Sequence, residues 1–185
     1  MLFLLLTQAV AAGAQARRQP VGRNEIGILS GGGPAILGGV GDRGFSFVAM
    51  RYARRLTGDL GRGWYRGQLH YGIEVMPLYL QFQSDTVYGA GVSPFLVRYS
   101  FTRPQALAPY IEVGGGLLGT VEKVPENTSR FNFTPQGGIG VQVWLSGHRS
   151  WTAGVRYHHT SNAGLATRNP GINAIVIHTG VSWHR

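Results

Sequence analysis

The feature of the sequence that most limits its fold is a two-residue alternation of apolar and polar side chains. In the segment 131–145 the even positions are mostly polar, whereas the odd positions are Phe131, Phe133, Pro135, Gly137, Ile139, Val141, Val143 and Leu145. Successive side chains of a β-strand point to opposite faces, so this pattern predicts a strand with one apolar face. The same alternation recurs in 150–160 and 172–184.

Runs of this kind occur along the whole chain after residue 24. We predict eight strands, at 24–33, 44–55, 64–77, 86–101, 108–121, 131–145, 150–160 and 172–184. The chain is therefore predicted to be all-β. An even number of strands allows them to close into a barrel, which leaves no unpaired strand edge in lipid, so we predict an eight-stranded antiparallel transmembrane β-barrel. Short connections such as 146–149 are then expected on the periplasmic side, and longer ones at 31–43, 122–130 and 161–171 outside the cell.

A soluble, lipocalin-like barrel would show the same alternation with its apolar face turned inward. The face opposite the apolar one carries Glu74, Arg98 and Arg156. These side chains are too polar for the interior of a dry ligand pocket, so we favour the membrane barrel. Aromatic residues near strand ends fit the girdles of such barrels, namely Trp64, Tyr88, Tyr110 and Trp183.

The first residues have the character of an export signal. Residues 2–10 form an apolar run, and the small residues Ala14 and Ala16 follow it. We predict a signal peptide over 1–16 and a single outer-membrane β-barrel domain over 17–185. The apolar run is too short to cross a bilayer as a helix, which needs about 20 residues.

The charge balance is basic, with 17 Lys and Arg against 8 Asp and Glu, and every basic residue except Lys123 is arginine. Guanidinium groups bind phosphate through two hydrogen bonds, so an anionic surface is an expected partner, with Arg43, Arg130 and Arg168 in the outer loops. Nucleic acid is not expected, because the chain is exported and its arginines are scattered. The chain has no cysteine, so disulfides cannot contribute to its stability.

The most informative segment is 156–165, which reads Arg-Tyr-His-His-Thr-Ser-Asn-Ala-Gly-Leu and is followed by Asn169-Pro170-Gly171-Ile172-Asn173. Through its His-x-Ser-Asn-Ala-Gly and Asn-x-Gly elements the chain resembles the lipid A 3-O-deacylases of the PagL type and the wider acyloxyacyl hydrolase-like family. The resemblance implies a serine esterase of the outer membrane. Such an enzyme removes an ester-linked acyl chain from the lipid A of lipopolysaccharide in the outer leaflet, without a cofactor.

The resemblance also implies roles for individual residues. Ser161 would be the nucleophile and His159 its general base, and the residues implied to shape the oxyanion site are Asn162, Gly164 and Asn169. The family's third catalytic residue is a glutamate, where this chain has Asn173. An amide oxygen can fix the tautomer of a histidine but supplies little charge to stabilise its protonated form. A substitute carboxylate could come from a loop such as 122–126, or from elsewhere in the fold.

The strand pattern places these residues on one face. His159 and Ser161 are two positions apart, about 6.6 Å between Cα atoms on a strand, and share the face of Val155. Asn173 shares the face of Ile177 on the next strand. We therefore predict that all three point toward lipid at the extracellular end of the last hairpin.

Other readings remain open at this level. His158 should point into the barrel, and a metal site from His158, His159 and His178 has no ligand spacing to recommend it. We therefore expect no metal. The alternative functions are a non-catalytic outer-membrane barrel, as a degenerate relative or a structural protein, and a periplasmic lipid-binding barrel. The sequence leaves open whether the barrel forms a homodimer.

Overall fold

A computed structural model describes residues 22–39, 43–103 and 107–185. The predicted signal segment, 1–16, lies outside these residues. The strands are β1 (Asn24–Gly39), β2 (Gly44–Arg55), β3 (Gly67–Phe82), β4 (Thr86–Phe101), β5 (Leu107–Thr120), β6 (Phe131–Phe133), β7 (Gln136–Ser146), β8 (Arg149–Thr160) and β9 (Ile172–His184). A 3₁₀ turn covers Gly63–Tyr65. In the described part of the chain, no helix is long and apolar enough to cross a membrane.

The strands close into an antiparallel barrel. Strands β1 to β5 pair in sequence order, β7 pairs with β8, β8 pairs with β9, and β9 pairs with β1. β6 and β7 both pair with β5 and lie end to end, so that together they occupy one of the eight strand positions of the barrel. The strand is interrupted between them at Pro135, which has no N–H to contribute to the ladder. The prediction of an eight-stranded antiparallel barrel is confirmed.

The outside of the barrel is apolar and the inside is polar. Ile28, Val113 and Ile177 are 52%, 62% and 68% exposed, whereas Arg51 and Glu74 are 2% and 3% exposed. A soluble carrier would have the opposite arrangement, because its apolar side chains would line the ligand cavity. The exposed apolar wall therefore rules out the predicted alternative of a lipocalin-like periplasmic carrier.

Ion pairs fill the middle of the lumen. Glu74 contacts Arg51 at 2.7 Å and Arg156 at 3.0 Å, and Glu112 contacts Arg156 at 2.9 Å and Arg98 at 3.2 Å. Toward one end of the barrel these groups give way to a buried apolar cluster, formed by Phe45, Phe47, Ala49, Met76, Tyr79, Leu118, Ala174 and Val176. The described lumen is thus packed with side chains.

The two ends of the barrel differ. One end, which we call the terminal end, holds the first and last described residues. It carries the paired residues Glu25 and His184 and the connection 56–66. The loop end carries the connections 121–130 and 161–171. The prediction that all turns at the terminal end are short is wrong for 56–66, where Asp59 accepts hydrogen bonds from Arg66 and Gln68 and so orders a longer connection.

Three further details differ from the sequence-based predictions. β1 continues to Gly39 through the glycine-rich stretch that was predicted to be a loop, and β3 covers Gly67–Phe82 rather than 64–77. Tyr110 does not belong to an aromatic girdle, because its side chain is 2% exposed in the lumen. Its hydroxyl lies 3.0 Å from Nε2 of His178, and the guanidinium of Arg98 lies 4.2 Å from the centre of its ring. The lumen offers these polar partners, which a lipid-facing tyrosine would lack.

Candidate active site

The candidate site is built on the last hairpin at the loop end. His159 is the penultimate residue of β8, Asn173 is the second residue of β9, and the register of the two strands sets them opposite each other. Nδ1 of His159 lies 2.6 Å from Oδ1 of Asn173. An oxygen can only accept at this contact, so Nδ1 carries the proton. The unprotonated nitrogen is then Nε2, which is the state that a general base requires.

Both residues are half-buried and share the outward face with the exposed side chains of Val155 and Ile177. They therefore lie on the wall that faces lipid, as predicted from their parity.

Ser161 follows β8 directly, two residues after His159 and on the same wall. Its backbone is fixed to β6, since its N–H donates to the carbonyl oxygen of Phe133 at 3.1 Å and its own carbonyl oxygen accepts from the Phe133 N–H at 2.7 Å. Among the described residues, the Ser161 hydroxyl has no hydrogen-bond partner, His159 included. The chain brings the two groups to one wall without closing a hydrogen bond between them, and such bonds often tighten only when substrate binds.

Asn162 organises the loop that follows. Its side chain is buried, its Nδ2 donates to the carbonyl oxygen of Arg168 at 2.8 Å, and its Oδ1 accepts from the N–H of Gly164 at 2.9 Å. The chain turns here through positive φ angles of 52° at Ala163 and 83° at Gly164. The Gly164 N–H is thus bound within the loop itself, which indicates a structural contribution from both Asn162 and Gly164.

Asn169 is placed differently. Its Oδ1 accepts from the backbone N–H of Asn162 at 3.0 Å, which fixes the amide plane. Its Nδ2 has no hydrogen-bond partner within the residues that the structure describes. Of the three residues predicted for the oxyanion site, Asn169 therefore has a side-chain donor to offer.

Two further residues adjoin His159 that the sequence reasoning did not assign to the site. The hydroxyl of Tyr157 donates to Oδ1 of Asn173 at 2.6 Å, so this oxygen accepts from both Tyr157 and His159. Gly171 has a φ of +67°, and a Cβ on it would lie 3.0 Å from Cε1 of His159. The only sequence signal for Tyr157 was its parity with His159, and for Gly171 its place in the Asn-x-Gly element.

The other predicted candidates lie elsewhere. His158 is buried inside the barrel, its ring centre 4.8 Å from that of Phe45, and His178 is also inside. Because His159 faces outward, the three histidines cannot converge on one ion. Within the described ranges, no group of three or more His, Cys, Asp or Glu side chains is arranged to hold a metal.

The loop carboxylates do not reach His159 either. Glu126 contacts Arg43 at 3.1 Å and accepts from the Ser84 N–H at 3.0 Å, while Glu122 contacts Arg130 at 3.0 Å. The hydrogen bond from Arg43, helped by that from Ser84, lowers the pKa of Glu126 from 4.5 to about 2. Both glutamates are thus bound to other residues at the loop end. The group that contacts His159 Nδ1 is the Asn173 amide.

The barrel and its outward-facing polar residues define an outer-membrane β-barrel with a histidine, serine and asparagine group on its membrane-facing wall. The family model described as lipid A 3-O-deacylase (PagL) matches residues 47–182. The chain belongs to this family.

Solved structures agree with this assignment at the level of the fold. The crystal structure of the outer membrane enzyme PagL matches with 18% identity and a TM-score of 0.61, over 83% of this chain and 97% of that one. The N-terminal β-barrel domain of Pseudomonas aeruginosa OprF matches with 16% identity and a TM-score of 0.54, over 89% and 99%. Ail of Yersinia pestis matches with 12% identity and a TM-score of 0.56, also over 89% and 99%. The comparison with curated protein sequences finds no match.

Proposed function

We propose that this protein is a serine esterase that hydrolyses an ester-linked acyl chain of lipid A in the outer leaflet. The observation that carries the proposal is the 2.6 Å contact between His159 Nδ1 and Asn173 Oδ1 on the lipid-facing wall, two residues before Ser161. This contact leaves Nε2 of His159 to take a proton from a hydroxyl. A hydrolase whose substrate is a membrane lipid needs its reactive groups on this side of the barrel.

In the first half of the reaction, Ser161 Oγ attacks the ester carbonyl carbon while His159 Nε2 takes the hydroxyl proton. The carbonyl oxygen becomes an oxyanion, and Asn169 Nδ2 donates to it. One such donor contributes about 3 kcal/mol in known hydrolases. The carbon–oxygen bond to the lipid A sugar then breaks, and the departing oxygen takes the proton from His159. An acyl-Ser161 intermediate remains.

In the second half, water attacks the acyl-Ser161 carbonyl carbon and gives a proton to His159 Nε2. The bond to Ser161 Oγ breaks, the serine oxygen takes that proton back, and a fatty acid leaves. Asn173 accepts the Nδ1–H of His159 throughout, which holds the ring in place. As a neutral group it stabilises the protonated ring less than a carboxylate would.

Charged groups near the site support a phosphorylated lipid as substrate. Arg168 is exposed on the same loop as Asn169, and among the described residues it forms no ion pair. Arg43 and Arg130, the other two arginines predicted to meet phosphate, are bound to Glu126 and Glu122. We therefore assign phosphate binding to Arg168. This assignment requires that the loop end of the barrel faces the outside of the cell.

The experiment is to produce the protein in the outer membrane of Gram-negative cells and to analyse their lipid A by mass spectrometry. The wild type should remove one acyl chain, and Ser161→Ala should abolish this loss. Ser30→Ala is the matched control, because Ser30 is exposed on the same outer wall in β1, away from the site. Purified protein in detergent should release the corresponding fatty acid from lipid A.

A non-catalytic barrel is the second candidate, and the absence of a carboxylate at Asn173 favours it. This candidate predicts unchanged lipid A with the wild type, with Ser161→Ala and with Ser30→Ala. Acyl loss that persists in Ser161→Ala would instead mean that another group attacks the ester.

A further inference from the structure

Tyr157 and His159 are joined through one oxygen atom of Asn173. In the ladder between β8 and β9, His159 faces Asn173 directly and Tyr157 faces Ile175. Tyr157 therefore lies diagonally from Asn173, a distance that a tyrosine side chain can span. Its hydroxyl donates to Oδ1 at 2.6 Å, and His159 Nδ1 lies 2.6 Å from the same atom.

The orientation of a primary amide is decisive at this position. If the Asn173 amide were rotated by half a turn, its NH₂ group would face His159 Nδ1. That nitrogen would have to accept, so the ring proton would move to Nε2. A histidine in this tautomer cannot take the proton of Ser161. The amide must keep its oxygen toward the ring, which a carboxylate would do in either orientation.

The Tyr157 phenol favours the productive orientation. A phenol donates a hydrogen bond more readily than it accepts one, because its lone pair is partly delocalised into the ring. An oxygen at the shared point satisfies two donors, the phenol and Nδ1–H, whereas an NH₂ group would require the phenol to accept. The wall around Tyr157 is apolar and faces lipid, so water does not compete well for the phenol.

We propose that Tyr157 is a positioning residue, which fixes the amide of Asn173 and thereby the tautomer of His159. The inference rests on the proposed esterase function. Tyr157 and Asn173 together perform the orienting part of the role that the family's glutamate performs alone. The reacting atoms remain those of His159 and Ser161.

The test combines Tyr157→Phe with Asn173→Asp, which keeps the side-chain shape and replaces the amide by a carboxylate. With Asn173 present, Tyr157→Phe should lower kcat about tenfold, the value of one hydrogen bond, and leave KM nearly unchanged. With Asp at this position, the same change should lower kcat less than about twofold, because either carboxylate oxygen can face the ring. Fatty acid release from purified lipid A in detergent micelles is the readout.

Tyr52→Phe is a matched control. Tyr52 also lies on the outer wall and donates to an asparagine, with its hydroxyl 2.9 Å from Oδ1 of Asn24, but near the terminal end. Its removal should leave kcat unchanged. A loss of kcat on Tyr157→Phe that is equal with Asn and with Asp at 173, or no loss with Asn, would overturn the proposal.

A second readout does not require activity. Nitrogen-15 NMR of the histidine rings, with His159 assigned from a His159→Gln spectrum, should show Nδ1 protonated in the wild type. Tyr157→Phe should add the Nε2-protonated form, and Tyr52→Phe should not. If the wild type is inactive but the tautomer shifts as expected, the esterase function fails while Tyr157 still positions the amide. An unchanged tautomer in Tyr157→Phe would refute the positioning role itself.

Discussion

At the scale of single residues, Asn173 determines how strongly the proposed site can stabilise a protonated His159. Its Oδ1 takes the place from which a carboxylate would contact Nδ1 of His159. A hydrogen bond to a charged acceptor is about twice as strong as a neutral one, and in the proposed reaction the difference would be largest once the His159 ring is protonated. Asn173 therefore provides the hydrogen bond that orients His159 but not the negative charge that would stabilise the protonated ring.

We expect Asn173→Asp to raise kcat for lipid A deacylation by about tenfold, because the new carboxylate stabilises the protonated His159 without a change of shape. Asn173→Glu, which restores the family's residue, should give activity that is equal or higher. Asn24→Asp is the control for added charge on the same wall. The measurement is the rate of fatty acid release under saturating lipid A. A fall in kcat for both Asp and Glu would mean that the amide has a role of its own.

The sequence allowed the outward direction of His159 and Asn173 to be predicted, because parity along a strand fixes the face. It did not reveal the contact of Tyr157 with Asn173, because this contact depends on the register between β8 and β9 across a loop. Tyr110 was misassigned although the information was present. It shares parity with Glu112, whose charge requires the lumen, whereas the prediction relied on its aromatic character alone.

At the scale of elements, the loop end is held together by side chains from separate connections. Glu126 from the connection between β5 and β6 binds Arg43, just before β2, and the N–H of Ser84, between β3 and β4. A carboxyl group whose pKa is lowered by folding stabilises the folded state above its unfolded pKa. This stabilisation is lost as the pH falls through the folded value.

The Glu126 contact should therefore persist at mildly acidic pH. The amide proton shift of Ser84 should titrate with a midpoint near 2 rather than 4.5, since the pKa of Glu126 is lowered to about 2. In Arg43→Gln the midpoint should move up toward 4.5, because the largest cause of the shift is removed. In Glu126→Gln the transition should vanish, which serves as the control. A wild-type midpoint near 4.5 would show that the three connections are not joined in this way.

Strand positions were predictable where alternation is strong and less so where glycine prevails. β8 and β9 lie within one residue of their predicted bounds, because their apolar faces are regular. The strand predicted over 131–145 keeps its outer bounds to within one residue but is divided into β6 and β7. β1 extends beyond Gly33 because its backbone pairs with β2 and β9, and no side-chain pattern marks this pairing. At Gly33, a Cβ would collide with the carbonyl oxygen of Ile175, so glycine permits the close approach of β1 to β9.

At the scale of the whole molecule, the barrel is stabilised from within by ion pairs. The carboxylate of Glu112 is almost completely buried and lies among the guanidinium groups of Arg51, Arg98 and Arg156. Removal of one partner from such a cluster leaves buried charge without compensation, which costs more than the ion pairs contribute in net terms.

Glu112→Ala should therefore lower the free energy of unfolding by about 3–5 kcal/mol, measured by denaturant titration in lipid vesicles. Glu122→Ala is the matched control, because Glu122 pairs with Arg130 at the exposed loop end and should contribute about 1 kcal/mol or less. Similar effects of the two substitutions would show that water reaches the interior and screens the cluster.

The length of β8 has a consequence for selectivity. The strand rises about 3.3 Å per residue and tilts by about 40° in barrels of this kind, so His159 stands roughly 25 Å above Arg149. That height equals the apolar band of an outer-membrane barrel, about 25 Å. The proposed enzyme would thus select ester bonds by their depth in the membrane. In the proposed reaction, an ester at the sugar end of an acyl chain would be level with the His159 imidazole, whereas a linkage deeper among the acyl chains would lie below it. Depth in the membrane alone would then distinguish the two bonds.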